Sequence, residues 1–281
     1  MSFLDRIAEC AAYDSGDYVP FFAGGSQVGQ ISHAFTDVLN NYLEVFLVTD
    51  ADMVLNGELD SFEKRTSAVA SVLDELRQQG MVPGWRDEPY PVGPAFNRPS
   101  FFEMERAAVP LFGVRGYGVH MNGWLEKEGT TFMWVARRSL TKPTGPGKLD
   151  QMVGGGQPAG LSLRENLIKE CREEAGLPEV ISSKAVPVGT VSYCTRREEG
   201  LRHDVLFNFD LEVPVDFQPV NEDGEVAEFM LWPIDEVMQT IRDTEAFKFN
   251  SALVIMDFLV RRGFIEADDP DYVDIVRGLH G

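Results

Sequence analysis

Three glutamates, Glu170, Glu173 and Glu174, follow a run of glycines, Gly154 to Gly156, and stand three and four residues apart. With 3.6 residues per helical turn, these spacings stack the carboxylates on one face, where they could share a cation. Nothing in the arrangement helps the helix itself. Like charges so placed cost about 0.2 to 0.5 kcal/mol per pair, and all three lie in the last turns before Gly176, where the macrodipole is already negative. A divalent cation reverses that sign, and oxygen-only ligands favour Mg²⁺ or Mn²⁺ over zinc. The plain alternative is a solvated acidic face on an amphipathic helix.

The helix that positions these acids has local start and stop signals. Ser162 followed three residues later by Glu165 reads as a capping box, and Gly176 then Pro178 read as the stop. Leu167, Ile168, Cys171 and Ala175 form an apolar stripe beside the acidic one, so the helix can pack on a core and present carboxylates at its edge. Cys171 belongs to that core.

The stretch from Gly155 to Leu177 resembles the Nudix box: a glycine, five residues, Glu, seven residues, then Arg-Glu-X-X-Glu-Glu-X-Gly and an apolar residue. With Gly155 as the first glycine, Glu170, Glu173, Glu174, Gly176 and Leu177 fall in register. Two positions depart: Leu161 replaces the first glutamate, and Lys169 replaces the arginine, keeping its charge but not its planar fork. The segments FGVRGYGVHMNGW from Phe112, WVARRSLTKPTGPGKLDQMVGGG from Trp134, VSYCTRREEGLRHDVLFNFDLEVP and FKFNSALVIMDFLVRRGFI resemble the Nudix hydrolases related to thiamin pyrophosphokinase. VPFFAGGSQVGQI and GWRDEPYPV resemble the extension ahead of the box in that group. The resemblance implies hydrolysis of thiamin diphosphate, or of oxidised or otherwise damaged analogues, to the monophosphate.

Arg137 to Lys148 holds four basic residues, Arg137, Arg138, Lys142 and Lys148, and no acid. A solvated basic loop is one reading; the other is a phosphate grip, since the run leads into the glycine turn. Guanidinium groups fit phosphate oxygens bidentately, and Gly155 and Gly156 let backbone amides or metal approach closely. Arg137 or Arg138 is expected to hold the terminal phosphate, with Arg196, Arg197 and Arg202 as the next candidates. Glu225 is a second acid, comparable in place with the carboxylate that Nudix enzymes often supply from the loop before a late strand. Tyr117, Trp124 and Trp134 could stack on the organic half of the substrate, although for each one separately a buried core position is the favoured reading.

The mechanism expected from these residues follows from charge. Mg²⁺ held by Glu170, Glu173 and Glu174 neutralises the bridging phosphates and orients water. Lys169 orients a carboxylate by ion pairing. The base is open among Glu173, Glu174 and Glu225.

Composition agrees. At 281 residues two domains are expected, 1–112 as an extension and 113–281 as the catalytic unit. The fold class is α/β, a Nudix α/β/α sandwich with a mixed sheet preceded by a smaller N-terminal α+β domain. Helical periodicity spans Ser61 to Gln79 and Asn250 to Arg261. Strand patterns occupy Val45 to Val48, Phe132 to Ala136, Val186 to Tyr193 and Val205 to Leu211, and Gly84 to Pro94 reads as a long loop. The net charge of −20 argues against nucleic-acid or anionic-membrane partners and leaves room for a local phosphate site. Three scattered cysteines and an N-terminus without an apolar signal core predict a cytoplasmic protein with reduced thiols, and no apolar run approaches the length of a membrane span. The expected partner is a small-molecule diphosphate, with a homodimer left open.

Four other readings compete. An isoprenoid diphosphate isomerase needs a cysteine just before the box helix, where Gln151, Met152 and Val153 stand. A thiamin pyrophosphokinase needs a separate kinase domain. A diphosphate-binding sensor with a decayed box is motivated by Leu161 and Lys169, and a nucleoside diphosphate-type substrate is the alternative for an active enzyme.

Overall fold

The structure is a computed structural model that describes residues 1–142 and 144–280. In chain order its elements are α1 (Phe3–Cys10), β1 (Tyr18–Ala23), β2 (Ser26–Ser32), α2 (His33–Leu39), β3 (Phe46–Val48), β4 (Met53–Leu55), α3 (Phe62–Gln78), β5 (Pro89–Val92) and β6 (Phe102–Glu105). There follow β7 (Arg115–Lys127), β8 (Thr130–Arg138), β9 (Leu149–Gln151), β10 (Val153–Gly156), α4 (Leu163–Ala175), α5 (Glu179–Ser182), β11 (Val186–Arg197), β12 (Gly200–Glu212), β13 (Val226–Pro233), α6 (Ile234–Asp243), α7 (Phe249–Arg261) and α8 (Tyr272–His280).

The larger sheet has the order β11-β12-β7-β8-β13, with β10 paired to β7 and β9 to β8. It is mixed, because β12 runs parallel to β7 while the other pairs are antiparallel. Alternation along β7 assigns its faces. Val119 and Met121 join Leu167, Cys171 and Ala175 of α4 in one core, and Trp124 joins the helices of the opposite face in another. The expected α/β/α sandwich is therefore present, with the box helix on one side and α6, α7 and α8 on the other.

The N-terminal part is α+β, as expected. Its four-stranded sheet, β2-β1-β4-β3, and α3 bury Phe21, Ile31, Phe46, Leu73, Phe102 and Phe112 in a core of their own. Ser61 caps α3, and Val69, Val72, Leu73 and Leu76 are its buried stripe. Two features differ from the sequence reading. The long loop contains β5, which pairs with β6; Pro89 and Pro91 alternate along it, so both missing donors fall on one edge of a two-stranded sheet, where proline is tolerated. A joint at residue 112 also leaves α1 on the wrong side, because Phe3 and Cys10 pack into the core built on α7 and α8.

Candidate active site

The box helix α4 forms as its caps require. Ser162 accepts from the Glu165 amide while Glu165 reaches back to Ser162, and Gly176 takes the left-handed conformation, φ 62°, that closes the last turn. The C-terminal end of α4 lies against β10, the glycine strand. A side chain at Gly155 would place its Cβ 2.3 Å from the Glu170 carboxyl carbon, so only glycine lets Glu170 sit on this strand.

The three acids occupy different environments. Glu174 is 5% exposed and accepts a 2.8 Å hydrogen bond from the Gly154 amide. Burial pushes its carboxyl well above the ordinary range; the Gly154 N–H opposes this and the Glu170 charge adds to it. Glu170 is also raised, by burial first, with Lys169 opposing and the charges of Glu173 and Glu225 adding. Glu173 is the exposed member, its side chain 45% accessible. Lys169 Nζ bridges Glu170 Oε1 at 3.1 Å and Glu173 Oε2 at 2.8 Å. Among the described residues no three His, Cys, Asp or Glu side chains converge closely enough to hold a metal ion. The acids thus do not form the ready three-carboxylate cage that their spacing predicts. Position 174 lies beside the apolar stripe of Cys171 and Ala175, and its carboxylate turns to the strand amide instead. The donor set still fits a hard cation: Glu170 and Glu173 already close on one positive charge, the Lys169 ammonium.

Glu225, in the loop before β13, pairs with Lys142, and its charge is felt at Glu170. Lys142 in turn lowers Glu174, so these two expected residues do lie near the box acids. The rest of the basic run does not. Arg137 is tied to Glu228 of the neighbouring strand at 2.6 Å. Arg138 is buried, with Nη1 on Asp150 at 2.7 Å and its other nitrogens on the Thr144 carbonyl. Lys148 donates to the Glu245 carbonyl. Both arginines are thus satisfied by partners that the chain supplies from elsewhere, which corrects the expectation that one of them is free for a terminal phosphate. Pro143, within this run, lies outside the described residues.

Trp124 takes the core reading and not the stacking one. It packs on Phe258 and under Arg262, on the sheet face away from the box helix. Trp134 is core beneath α4. Tyr117 does lie beside the box: with Phe96 and Phe207 it forms an aromatic cluster, centroids 5.0 Å and 6.3 Å from Tyr117, next to a cavity of about 170 Å³. Loop residues of the N-terminal part and Gln157 to Leu161 line that cavity together. Arg196 is exposed near Asp17, Arg197 lies over Phe249, and Arg202 contacts Glu199 at 3.2 Å.

Several polar residues of this region carry no sequence signal of their own. His120 faces Gly154, with its ring on Gln151; burial drives its pKa down to about 3, aided by the Lys248 charge. Burial lowers Lys248 to about 8 against the opposing pull of Asp150. Arg106, from the N-terminal part, reaches Gly156, where an added Cβ would meet its Nη2 at 1.6 Å.

Residues 117–253 match the family model described as NUDIX domain, and residues 2–116 match the one described as Domain of unknown function (DUF4743). Nudix hydrolase 24, chloroplastic, from Arabidopsis thaliana is 45% identical over 281 residues, covering 99% of this chain and 77% of that protein. The chain belongs to the Nudix hydrolase family. Nudix hydrolase 20, chloroplastic, of the same plant is 44% identical, again over 99% and 77% of the two chains. Among solved structures, the NUDIX domain of Shewanella oneidensis NrtR complexed with ADP ribose aligns with a TM-score of 0.43 and 15% identity, covering 54% of this chain and 90% of that one. Membership makes this Nudix chain a hydrolase of phosphorus-containing anhydrides. The cytoplasmic expectation is corrected by the two plant relatives, which are named chloroplastic; scattered cysteines and a polar first segment do not specify a compartment. Among the described residues no helix is long and apolar enough to cross a membrane.

Proposed function

We propose that this Nudix hydrolase cleaves the diphosphate of thiamin diphosphate, or of its oxidised analogues, to the monophosphate and phosphate, with Mg²⁺ or Mn²⁺ as cofactor. The observation that carries the reaction is the seating of Glu170 and Glu174 on the Gly154–Gly155 backbone, with Glu173 and Glu225 at its mouth. When bound, the metal neutralises phosphate charge and activates water. The chain's own contribution is positional. Glu174 is fixed by the Gly154 amide, Glu170 is fixed by the absence of a side chain at Gly155, and Lys169 holds Glu170 and Glu173 at cation-sharing distance. Glu173 or Glu225, the more exposed acids, takes the proton as the water oxygen bonds to phosphorus and the anhydride P–O bond breaks.

The thiamin assignment is supported by the resemblance of nearly the whole chain, extension included, to the thiamin-pyrophosphokinase-related group. The Phe96, Tyr117 and Phe207 cluster beside the box offers flat apolar surface to a ring system. A screen of thiamin diphosphate, oxidised thiamin diphosphate, nucleoside diphosphates and ADP-ribose, with phosphate release read at saturating Mg²⁺, tests it. Higher kcat/KM for a thiamin-type compound is the expected result; preference for a nucleotide overturns the substrate assignment.

A further inference from the structure

Gly154 and Gly156 turn the same way from β10, toward the sheet face opposite the box helix. Gly154 meets His120, and Gly156 meets the Arg106 guanidinium. Arg106 uses Nη1 for both oxygens of Glu88, at 2.7 and 2.8 Å; among the described residues its Nη2, the atom nearest Gly156, has no hydrogen-bond partner. Burial and the charges of Arg106 and Arg202 disfavour the charge on Arg86 while Glu88 and Glu105 favour it, so three guanidinium groups share one region with these acids. Lys248 adds a further cation; Asp150 and Asp204 favour its charge and Arg138 and Arg202 oppose it, and its ammonium forms no ion pair within 4 Å among the described residues. Arg106 Nη2 and the Lys248 ammonium are thus cationic donors without a direct partner among the described residues, and phosphate oxygens would satisfy both.

We propose that Arg106, carried by the N-terminal part, and Lys248, at the start of α7, grip the substrate's phosphates on the face of Gly154–Gly156 opposite the box helix. This assignment rests on the diphosphate reading above and extends it, making the N-terminal part a wall of the substrate site. The grip takes over the role that Arg137 and Arg138, already paired, do not fill. Arg106 presents a planar fork suited to phosphate oxygens, and Lys248 a compact charge. Glycine at 156 is required because any side chain there would displace the guanidinium.

Inorganic pyrophosphate, titrated calorimetrically in EDTA, tests the grip apart from catalysis, since without metal the box acids repel an anion. Wild type is expected to bind saturably, and Arg106→Gln and Lys248→Met each to weaken binding by about tenfold or more, the scale of one charge-assisted contact. Arg106→Lys should recover part of the loss, and Arg242→Gln, at an exposed pair with Asp243, should match wild type. Gly156→Ala keeps Arg106 and Glu88 but pushes the guanidinium aside; it should weaken binding like Arg106→Gln and carries the test if that variant fails to fold. Binding by Arg106→Gln and Lys248→Met within twofold of wild type, or no saturable binding by wild type, overturns the proposal. Pyrophosphate binding that depends on Arg106, in a protein that hydrolyses no diphosphate, supports the grip and overturns the catalytic reading alone.

Discussion

Glu173 and Glu174 differ in surroundings, and the difference sets what their removal should do. Glu174→Gln keeps an oxygen for the Gly154 amide, and Glu173→Gln removes an exposed charge, so both variants should fold. Each is expected to lose at least 100-fold in turnover, the order of effect attached to a positioned acid or base. Phosphate release near the wild-type rate at saturating Mg²⁺ in both variants would remove the box acids from the chemistry. Lys248 provides a pH-dependent test at the same scale. Its folded pKa of about 8 lies below the ordinary 10.5, so between those values the unfolded chain binds more protons and stability rises with pH. Below about pH 8 both states are protonated and wild type carries the full penalty of the enclosed charge. Lys248→Met should therefore melt higher than wild type at pH 7, with the advantage shrinking as pH approaches 10. Melting curves that differ equally at both pH values would show that the ammonium is not enclosed.

The elements of the site were legible in unequal measure. Helix α4 could be read because its signals are local: the Ser162 and Glu165 box, the apolar stripe and the Gly176 cap lie within fifteen residues. Removing such a signal has a bounded effect. Ser162→Ala should destabilise the protein by about 1 kcal/mol, a fall of roughly 2–4 °C in Tm, while leaving KM unchanged. Thermal melting beside steady-state kinetics checks this; an unchanged Tm would mean that water replaces the cap. The basic run was illegible for the opposite reason. Whether Arg137 is free depends on Glu228, 91 residues away, and the fate of Arg138 depends on Asp150, which α7 also holds through Ser251. The β5 strand was hidden by its prolines, whose tolerance depends on an edge position that no local pattern reveals. Arg106 carried no signal because its meaning comes from Gly156, fifty residues later.

At the scale of the whole molecule, the chain begins and ends on the same core. Helix α1 is capped by Ser2 and packs Phe3 and Cys10 against α7 and α8, while residues between them and β7 build the N-terminal sheet. The extension is thereby tied to the Nudix unit at the chain's start, where Arg106 meets Gly156, and where Phe96 packs on Tyr117 and Phe207. An extension that walls the substrate site needs such anchoring, because a phosphate grip loses affinity when its side chain must first be ordered. Phe3→Ala separates this coupling from local packing. Truncating a buried phenylalanine costs about 3–5 kcal/mol. Here the loss should fall on the Nudix core, which holds Trp124 and has Trp232 packed against it, although the substitution lies at the far N-terminus. Urea unfolding followed by tryptophan fluorescence should shift to a lower midpoint, and pyrophosphate should restore part of it by binding only the assembled site. A Phe3→Ala variant that unfolds at the wild-type midpoint would show that α1 is not held on the C-terminal core and that the extension is anchored through its later contacts.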